Sequence, residues 1–465
     1  VSRYTKEKIL DLDRRHLWHP FTQMKDYEDR DPPVIVAAKG LQLQTIEGQL
    51  LYDTISSWWV NLHGHNHPEL NEALIEQLHR LDHVNFSGFT HREAVEVVDR
   101  LRGFLPQELC RFFYSDNGST AVEVALKMAF QFWQNQGFKE KTRFIFLENA
   151  YHGDTMGAVS VGGIDLFHRL YRPLTFFSYK TRAPYCLRCP DKPAEGFTLD
   201  APLPDCSLTC LEALEGILKE KAVEICAIIV EPRLLAAGGM IVYPKEYLKG
   251  LWELARKYDV LVIFDEVATG FGRTGTMFAM EQVGVVPDIV CLAKGLTGGY
   301  LPLSLTVATE EIFQAFYDDY LAGKTFFHGH SYTANPLACA VAIANLKLFA
   351  KERPLEKGEP VRLHFQRQLR RLFGEEPYVG DIRYLGYVGA IELVADRATQ
   401  KAFPVEARVG FKIYMESLKE GLVLRPLGDV IYWFLPLCVT VSEIDEILEK
   451  SRGVIRRVIH GLGGI

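Results

Sequence analysis

The sequence predicts an α/β fold in which a larger domain, built on a mostly parallel sheet with helices on both faces, is joined to a smaller α+β domain. Three observations carry this expectation. Short, wholly apolar runs alternate with amphipathic helical stretches through the middle of the chain. The pattern changes after about residue 330, and 465 residues exceed what a single hydrophobic core usually serves.

Taken in order, residues 1–60 read as a small strand-bearing arm belonging to the smaller domain, with Glu47-Gly48 as a turn inside QLQTIEGQLLYD. Residues 61–330 form the large domain. Its strand candidates are RFFYSD, RFIFLENA, CAIIVEP, VLVIFDEV and IVCLAKG, with helices such as KEYLKGLWELARKY between several of them. Residues 331–465 form the smaller domain, with the helix LACAVAIANLKLFA and short strands around DIRYLGYVGAIELV, GLVLRPLG and VIYWFLP. The one long loop, about Thr181 to Ser207 and rich in Pro, Cys and Asp, is where a functional lid would sit.

Composition narrows the function. Fifty-nine acidic residues against 52 basic ones, with no basic stripe, argue against a nucleic-acid partner. Every strand-like run breaks at a charge long before a membrane span would be complete, so no membrane association is expected. The opening VSRYTKEKILDLDRRHLWHP lacks the apolar core of a secretory signal, which predicts a cytoplasmic enzyme. Cys110, Cys226, Cys291, Cys339 and Cys438 sit in apolar runs as small hydrophobes. Cys186-x-x-Cys189 with Cys206 and Cys210 roughly imitates a zinc quartet, but neither a histidine nor a tight second CxxC supports it, and no metal is expected.

The chemistry begins at two strands that each end an apolar run on an ionisable residue, Asp265 and Lys294. Ligands of open α/β sheets collect at the carboxyl ends of strands. There, a carboxylate in low dielectric can hold the proton of a pyridine nitrogen, and a partly buried amine can stay neutral enough to attack an aldehyde. Taken singly, either residue is as well read as a strand cap or a solvated amine. SDNGSTAVEVALKMAFQFW adds a Gly118-Ser119 turn into a helix whose apolar positions are Ala121, Val124, Ala125, Met128 and Phe132, offering free amides to a phosphate. Asn117 or Ser119 is equally an ordinary N-cap. HGHSYT (328–333) supplies a second hydroxyl cluster that can complete the phosphate site from another chain, and Tyr151 is the candidate to stack on a flat cofactor.

With DEVATGFGRTG and LAKGLTGGYLPLS, the chain closely resembles the class III, fold-type I aminotransferases over nearly its whole length. Within that class HLWHPFTQMKDY, SSWWVNLHGHNHP, YHGDTMGAVSVG, HGHSYTANPLACA and LRPLGDVIYWFLP resemble the 7,8-diaminopelargonic acid synthases, which aminate 8-amino-7-oxononanoate in biotin biosynthesis. The resemblance implies a seven-stranded sheet and pyridoxal 5′-phosphate as cofactor. It implies Lys294 as the Schiff-base lysine, Asp265 at the pyridine nitrogen, Gly118 and Ser119 on the phosphate, Tyr151 on one face of the ring and Val267 on the other. His330 and Ser331 would reach the phosphate across an obligate homodimer. Trp58, Tyr151, Gly329 and Arg425 would line the substrate channel, and Glu231 would support the ring hydroxyl. A nine-carbon keto acid suits an indole surface and a guanidinium fork, although Trp58-Trp59 also reads as a core pair and Arg425 as a surface ion pair.

The resemblance also implies a two-stage exchange in which an amino donor, S-adenosylmethionine or lysine, gives its amine to the cofactor and the keto acid then takes it up. Phe21 stands where many relatives carry a tyrosine, which leaves the donor open; HPFTQMKDY and KTFFHGHSYT resemble the lysine-using subgroup. Two rivals remain. Another ω-aminotransferase would share the core signature and differ in substrate. A dehydrogenase would use Gly270-x-Gly272-x-x-Gly275 with Asp288, but DEVAT intervenes before the glycines, and Asp288 precedes the next strand instead of ending it.

Overall fold

The computed structural model describes residues 4–189 and 206–462. Its strands in chain order are β1 (Ile35–Lys39), β2 (Gln42–Thr45), β3 (Leu50–Tyr52), β4 (Leu109–Ser115), β5 (Arg143–Leu147), β6 (Tyr179–Thr181), β7 (Ile225–Val230), β8 (Leu234–Leu235), β9 (Ile241–Val242), β10 (Leu261–Asp265), β11 (Ile289–Leu292), β12 (Ser304–Thr309), β13 (Val379–Leu385), β14 (Val388–Leu393) and β15 (Val430–Phe434). Seven of them form the central sheet, in the order β4-β12-β11-β10-β7-β5-β6. Only β12 runs against the others. The link from β11, residues 293–303, holds a single 3-10 turn and no crossover helix, so β12 returns antiparallel.

Alternate residues of the central strands feed two cores, which is why these runs are apolar throughout. Ile228, Val230, Val262, Phe264, Val290 and Leu292 pack in the larger core with the helix Lys245–Lys257. Ala227, Ile229, Ile263, Ile289 and Cys291 pack on the opposite side with the helix Gly118–Asn135. That helix buries Ala121, Val124, Ala125 and Phe132, the positions its periodicity picks out.

Two small antiparallel sheets complete the fold, β1-β2-β3 and β13-β14-β15. They belong to distant stretches of sequence yet are tied together: Tyr52 donates its amide to Gly421 O and accepts at its carbonyl from Val423 N, in the segment leading to β15, and Thr54 O accepts the amide of Phe434 in β15 itself. GLVLRPLG does not form the expected strand. It makes only isolated bridges at Leu422 and Leu427, and Pro426 has no N–H for a ladder.

Of the loop read between Thr181 and Ser207, residues 190–205 lie outside the described residues. Cys186, Cys189, Cys206 and Cys210 line one small cavity, and burial pushes the thiols of Cys186 and Cys210 up to about 12 and about 11. Among the described residues no three His, Cys, Asp or Glu side chains are grouped as a metal ion requires, and no helix is long and apolar enough to cross a membrane.

Candidate active site

Strand register gathers the site. Val230 pairs with Phe264, and Asp265 with Cys291, all in parallel neighbours. Glu231, Asp265 and the approach to Lys294 therefore emerge together at one edge of the sheet. The antiparallel pair Ser304 and Ser115 brings the exit of β4, and hence Gly118 and Ser119, to the same edge. A cavity of about 720 Å³ opens there, lined by Gly118, Ser119, Tyr151, Glu231, Asp265, Val267 and Lys294.

Asp265 is buried at the tip of β10. Its Oδ2 lies 2.7 Å from His152 Nδ1, and its Oδ1 accepts from Val267 N at 3.1 Å. His152 is buried too, and its Nε2 has no partner among the described residues. Glu231, buried beside Asp265, accepts the amides of Tyr151 and Ala236, both at 3.0 Å. Burial raises its carboxyl to about 7.

Lys294 begins the 3-10 turn Lys294–Thr297 with φ +44°, a left-handed conformation uncommon for any residue but glycine. Its Nζ stands 4.8 Å from the centre of the Trp59 ring. Desolvation holds its amine below the usual lysine range, against the opposing pull of Asp265 and Glu231. This is what a nucleophilic amine requires.

At the opposite wall, Asn117 caps the helix Gly118–Asn135 through Thr120 N at 3.1 Å. The backbone N–H groups of Gly118 and Ser119, ahead of Thr120, remain available for an anion. Ser119 Oγ lies 2.7 Å from Thr155 Oγ1 and accepts from Thr155 N at 3.1 Å. Glycine is required at 118 because a Cβ there would stand 2.6 Å from Val267 Cγ1. Tyr151 donates its hydroxyl to Asp154 Oδ2 at 2.7 Å, and its ring is half-buried against the cavity.

A second, larger cleft of about 1620 Å³ shares Trp59, Tyr151, Asp154 and Lys294 with the first and adds Phe21, Trp58, Phe167 and Arg425. The sequence left Trp58-Trp59 open between core and channel, and the structure divides them. Trp59 is buried and stacked on Phe434, reaching both cavities, whereas Trp58 is half-buried and lines the larger cleft alone of the two cavities. Arg425 is also resolved. It makes no ion pair among the described residues; its guanidinium lies 4.5 Å from the centre of the Trp58 ring and donates to Phe21 O at 3.5 Å. The Phe21 ring meets Trp58 edge-on at 5.6 Å.

Three expected residues stand apart. Gly329 and Ser331 are exposed and line neither cavity, and His330 Nδ1 lies 2.9 Å from Asp116 Oδ2 of its own chain. The dinucleotide-binding alternative fails on geometry. Asp288 pairs with Arg256 and accepts Val262 N at 2.7 Å, at the end of the sheet away from Lys294. Gly272 packs where a Cβ would meet Leu355 at 2.7 Å, inside the core and not beside a ligand.

The profile of the family described as Aminotransferase class-III matches residues 25–455. The chain belongs to the class III aminotransferases. Among class III aminotransferases and their solved structures, it is 48% identical to an adenosylmethionine-8-amino-7-oxononanoate aminotransferase of Geobacter sulfurreducens, over 98% of this chain and 99% of that one. The crystal structure of the enzyme of that name from Methanocaldococcus jannaschii superposes with a TM-score of 0.90 at 36% identity, covering 97% of this chain and 99% of that one. An amine transaminase from an uncultivated Pseudomonas species, in its PLP-bound form, gives 0.89 at 33% identity, covering 95% and 99%.

The structure also brings in residues that the sequence did not single out. His152, which orients Asp265, stood in plain view beside Tyr151. Asp53 and Arg273, which hold the Trp58-Trp59 turn, carried no signal that composition or spacing would expose.

Proposed function

We propose that this aminotransferase converts 8-amino-7-oxononanoate to 7,8-diaminononanoate in biotin biosynthesis, in the cytoplasm. The observation that carries the reading is the larger cleft, which joins the Lys294 amine to an arginine with no ion pair among the described residues, set among aromatic walls. A long aliphatic keto acid presents the matching groups: a carbonyl for amination, an apolar chain for Phe21, Trp58 and Phe167, and a carboxylate for Arg425. The relatives' printed names point to the same substrate.

The smaller cavity suits pyridoxal 5′-phosphate. The first-turn amides of Gly118 and Ser119 would take the phosphate, Asp265 the ring nitrogen, Tyr151 and Val267 the two faces, and Glu231 the region of the ring hydroxyl. The group would supply an aldehyde for Lys294 and a ring that withdraws electrons. Within this chain, Asp265 would present its carboxylate to the ring nitrogen and favour that nitrogen's protonated form, with His152 fixing the carboxylate's orientation. Lys294 Nζ would serve as the base that takes the proton from the donor carbon and, as the ammonium, returns it when the keto acid is aminated. Tyr151 and Trp59 wall the reacting centre on the cleft side.

Gly329, His330 and Ser331 fit a role across a homodimer interface, completing the phosphate and substrate sites of the second subunit. Their segment exposes Tyr320, Leu321, Phe327 and Tyr332, an apolar run of the kind an interface buries. The amino donor is S-adenosylmethionine or lysine. The deciding experiment supplies each separately to the purified enzyme with 8-amino-7-oxononanoate and measures 7,8-diaminononanoate. Product with one donor is expected; none with either, alongside turnover of a terminal amine lacking a carboxylate, replaces this reading with that of another ω-aminotransferase.

A further inference from the structure

Ser56, Ser57, Trp58 and Trp59 have φ of +50°, +45°, +71° and +76° in succession. Four consecutive left-handed residues, none of them glycine, form a turn that L-residues do not adopt unaided. Something outside the turn must hold it.

Two groups do. Asp53 Oδ1 accepts the Ser57 amide at 2.9 Å, and its Oδ2 accepts the Ser57 hydroxyl at 2.7 Å. Asp53 is itself buried and fixed by His65 Nε2 at 2.8 Å. Arg273, wholly buried, donates to Asn61 O at 2.9 Å and to Leu435 O. Ser56 Oγ donates to Phe434 O at 2.5 Å. The far end is thus tied to the C-terminal sheet, where the Trp59 indole N–H also reaches Tyr432 Oη at 3.2 Å. The Ser57 end, exposed to solvent, rests mainly on Asp53, with His65 Nε2 a longer 3.5 Å from the Ser57 hydroxyl.

The turn carries the two indoles on which the site's cations rest: Trp59 beside Lys294 and Trp58 beside Arg425. Trp59 is anchored by Tyr432 and Phe434, whereas Trp58 projects into the cleft. We propose that Asp53 is a positioning residue for carboxylate recognition: through Ser57 it holds the left-handed turn that sets Trp58 against Arg425. Asp53 touches neither cation. Its effect is to keep a flat surface where the guanidinium needs one, so that the fork faces the cleft instead of swinging to solvent. The inference rests on Arg425 as the carboxylate site.

The test compares 8-amino-7-oxononanoate with its methyl ester, which keeps the chain and removes the charge. In the holoenzyme, Asp53→Ala is expected to raise KM for the acid about tenfold, with kcat and the KM for the ester within about threefold of wild type. Asp53→Asn, whose amide oxygen still accepts the Ser57 N–H, recovers most of the loss. Ser57→Gly guards against misfolding, because glycine takes φ +45° without strain while losing the hydroxyl contact to Asp53. It is expected to fold and to move the acid-to-ester ratio the same way by a smaller factor. A ratio unchanged in both Asp53→Ala and Ser57→Gly, or equal losses on acid and ester, overturns the positioning role. Arg425→Ala, run in parallel, separates the two ideas: if it alone shifts the ratio, Asp53 has no part in recognition, and if it too leaves the ratio unchanged, the carboxylate assignment itself fails.

Discussion

The smaller cavity and the larger cleft share a wall but are built in different ways. The cavity is assembled from the exits of neighbouring strands, where sheet register alone places Glu231 beside Asp265 and brings Lys294 close. The cleft is assembled from segments as far apart as Phe21 and Arg425, joined through a strained turn. The first arrangement follows from the architecture of the sheet and suits chemistry common to a whole class of enzymes. The second rests on individual side-chain contacts, which substitution can change without disturbing the sheet. Chemistry and selectivity should therefore separate under mutation.

The largest effect belongs to the cavity. Lys294→Ala removes the one lysine that lines both spaces among the described residues, and turnover should fall by roughly four orders of magnitude or more. The visible absorbance of lysine-bound cofactor should vanish, while circular dichroism and the melting temperature show an intact fold. Retained turnover would break the comparison at its root, because the shared wall would then have no chemical centre.

An intermediate effect belongs to the cleft. Arg425→Ala deletes a charge-assisted fork worth about 1.5–3 kcal/mol, so KM for the keto acid should rise roughly 10- to 100-fold. Cofactor affinity, measured by titration of absorbance, should stay within about twofold. A matching loss of cofactor would mean that the two spaces form one energetic unit.

These expectations also mark what the sequence made legible. Asp265 and Lys294 were readable because each interrupts a wholly apolar run at its carboxyl end, and strand ends are where ligands of such sheets bind. The helix at Gly118 was readable because its apolar period survives intact in the structure. The Trp58 turn was not, since left-handed backbone at four non-glycine positions contradicts local propensity and is held by Asp53, Arg273 and the C-terminal sheet. Arg425 was half-legible: its charge was visible, but its lack of an ion pair is a tertiary fact. GLVLRPLG misled because its apolar start looks like a strand, while Pro426 withholds a ladder donor.

The smallest expected effect sharpens the contrast inside a single dipeptide. Asp265 faces the cavity, whereas the next residue, Glu266, faces the core and accepts from Thr269 Oγ1 at 2.5 Å, Ala279 N at 3.1 Å and Met280 N at 2.8 Å. Burial outweighs these bonds and raises the Glu266 carboxyl to about 7. Between its ordinary value of 4.5 and about 7, the folded chain keeps a proton that the unfolded chain has released. Stability therefore falls as pH rises through that window and levels off above it. Glu266→Gln keeps the shape but cannot ionise. Its melting temperature should track wild type near pH 5 and exceed it near pH 8, by on the order of a few °C after allowance for the hydrogen bond the amide cannot reproduce. All other titrating groups are common to both proteins, so the difference between the curves isolates this carboxyl. Parallel curves would mean that Glu266 is ionised in the fold throughout, and that its three donors outweigh its burial.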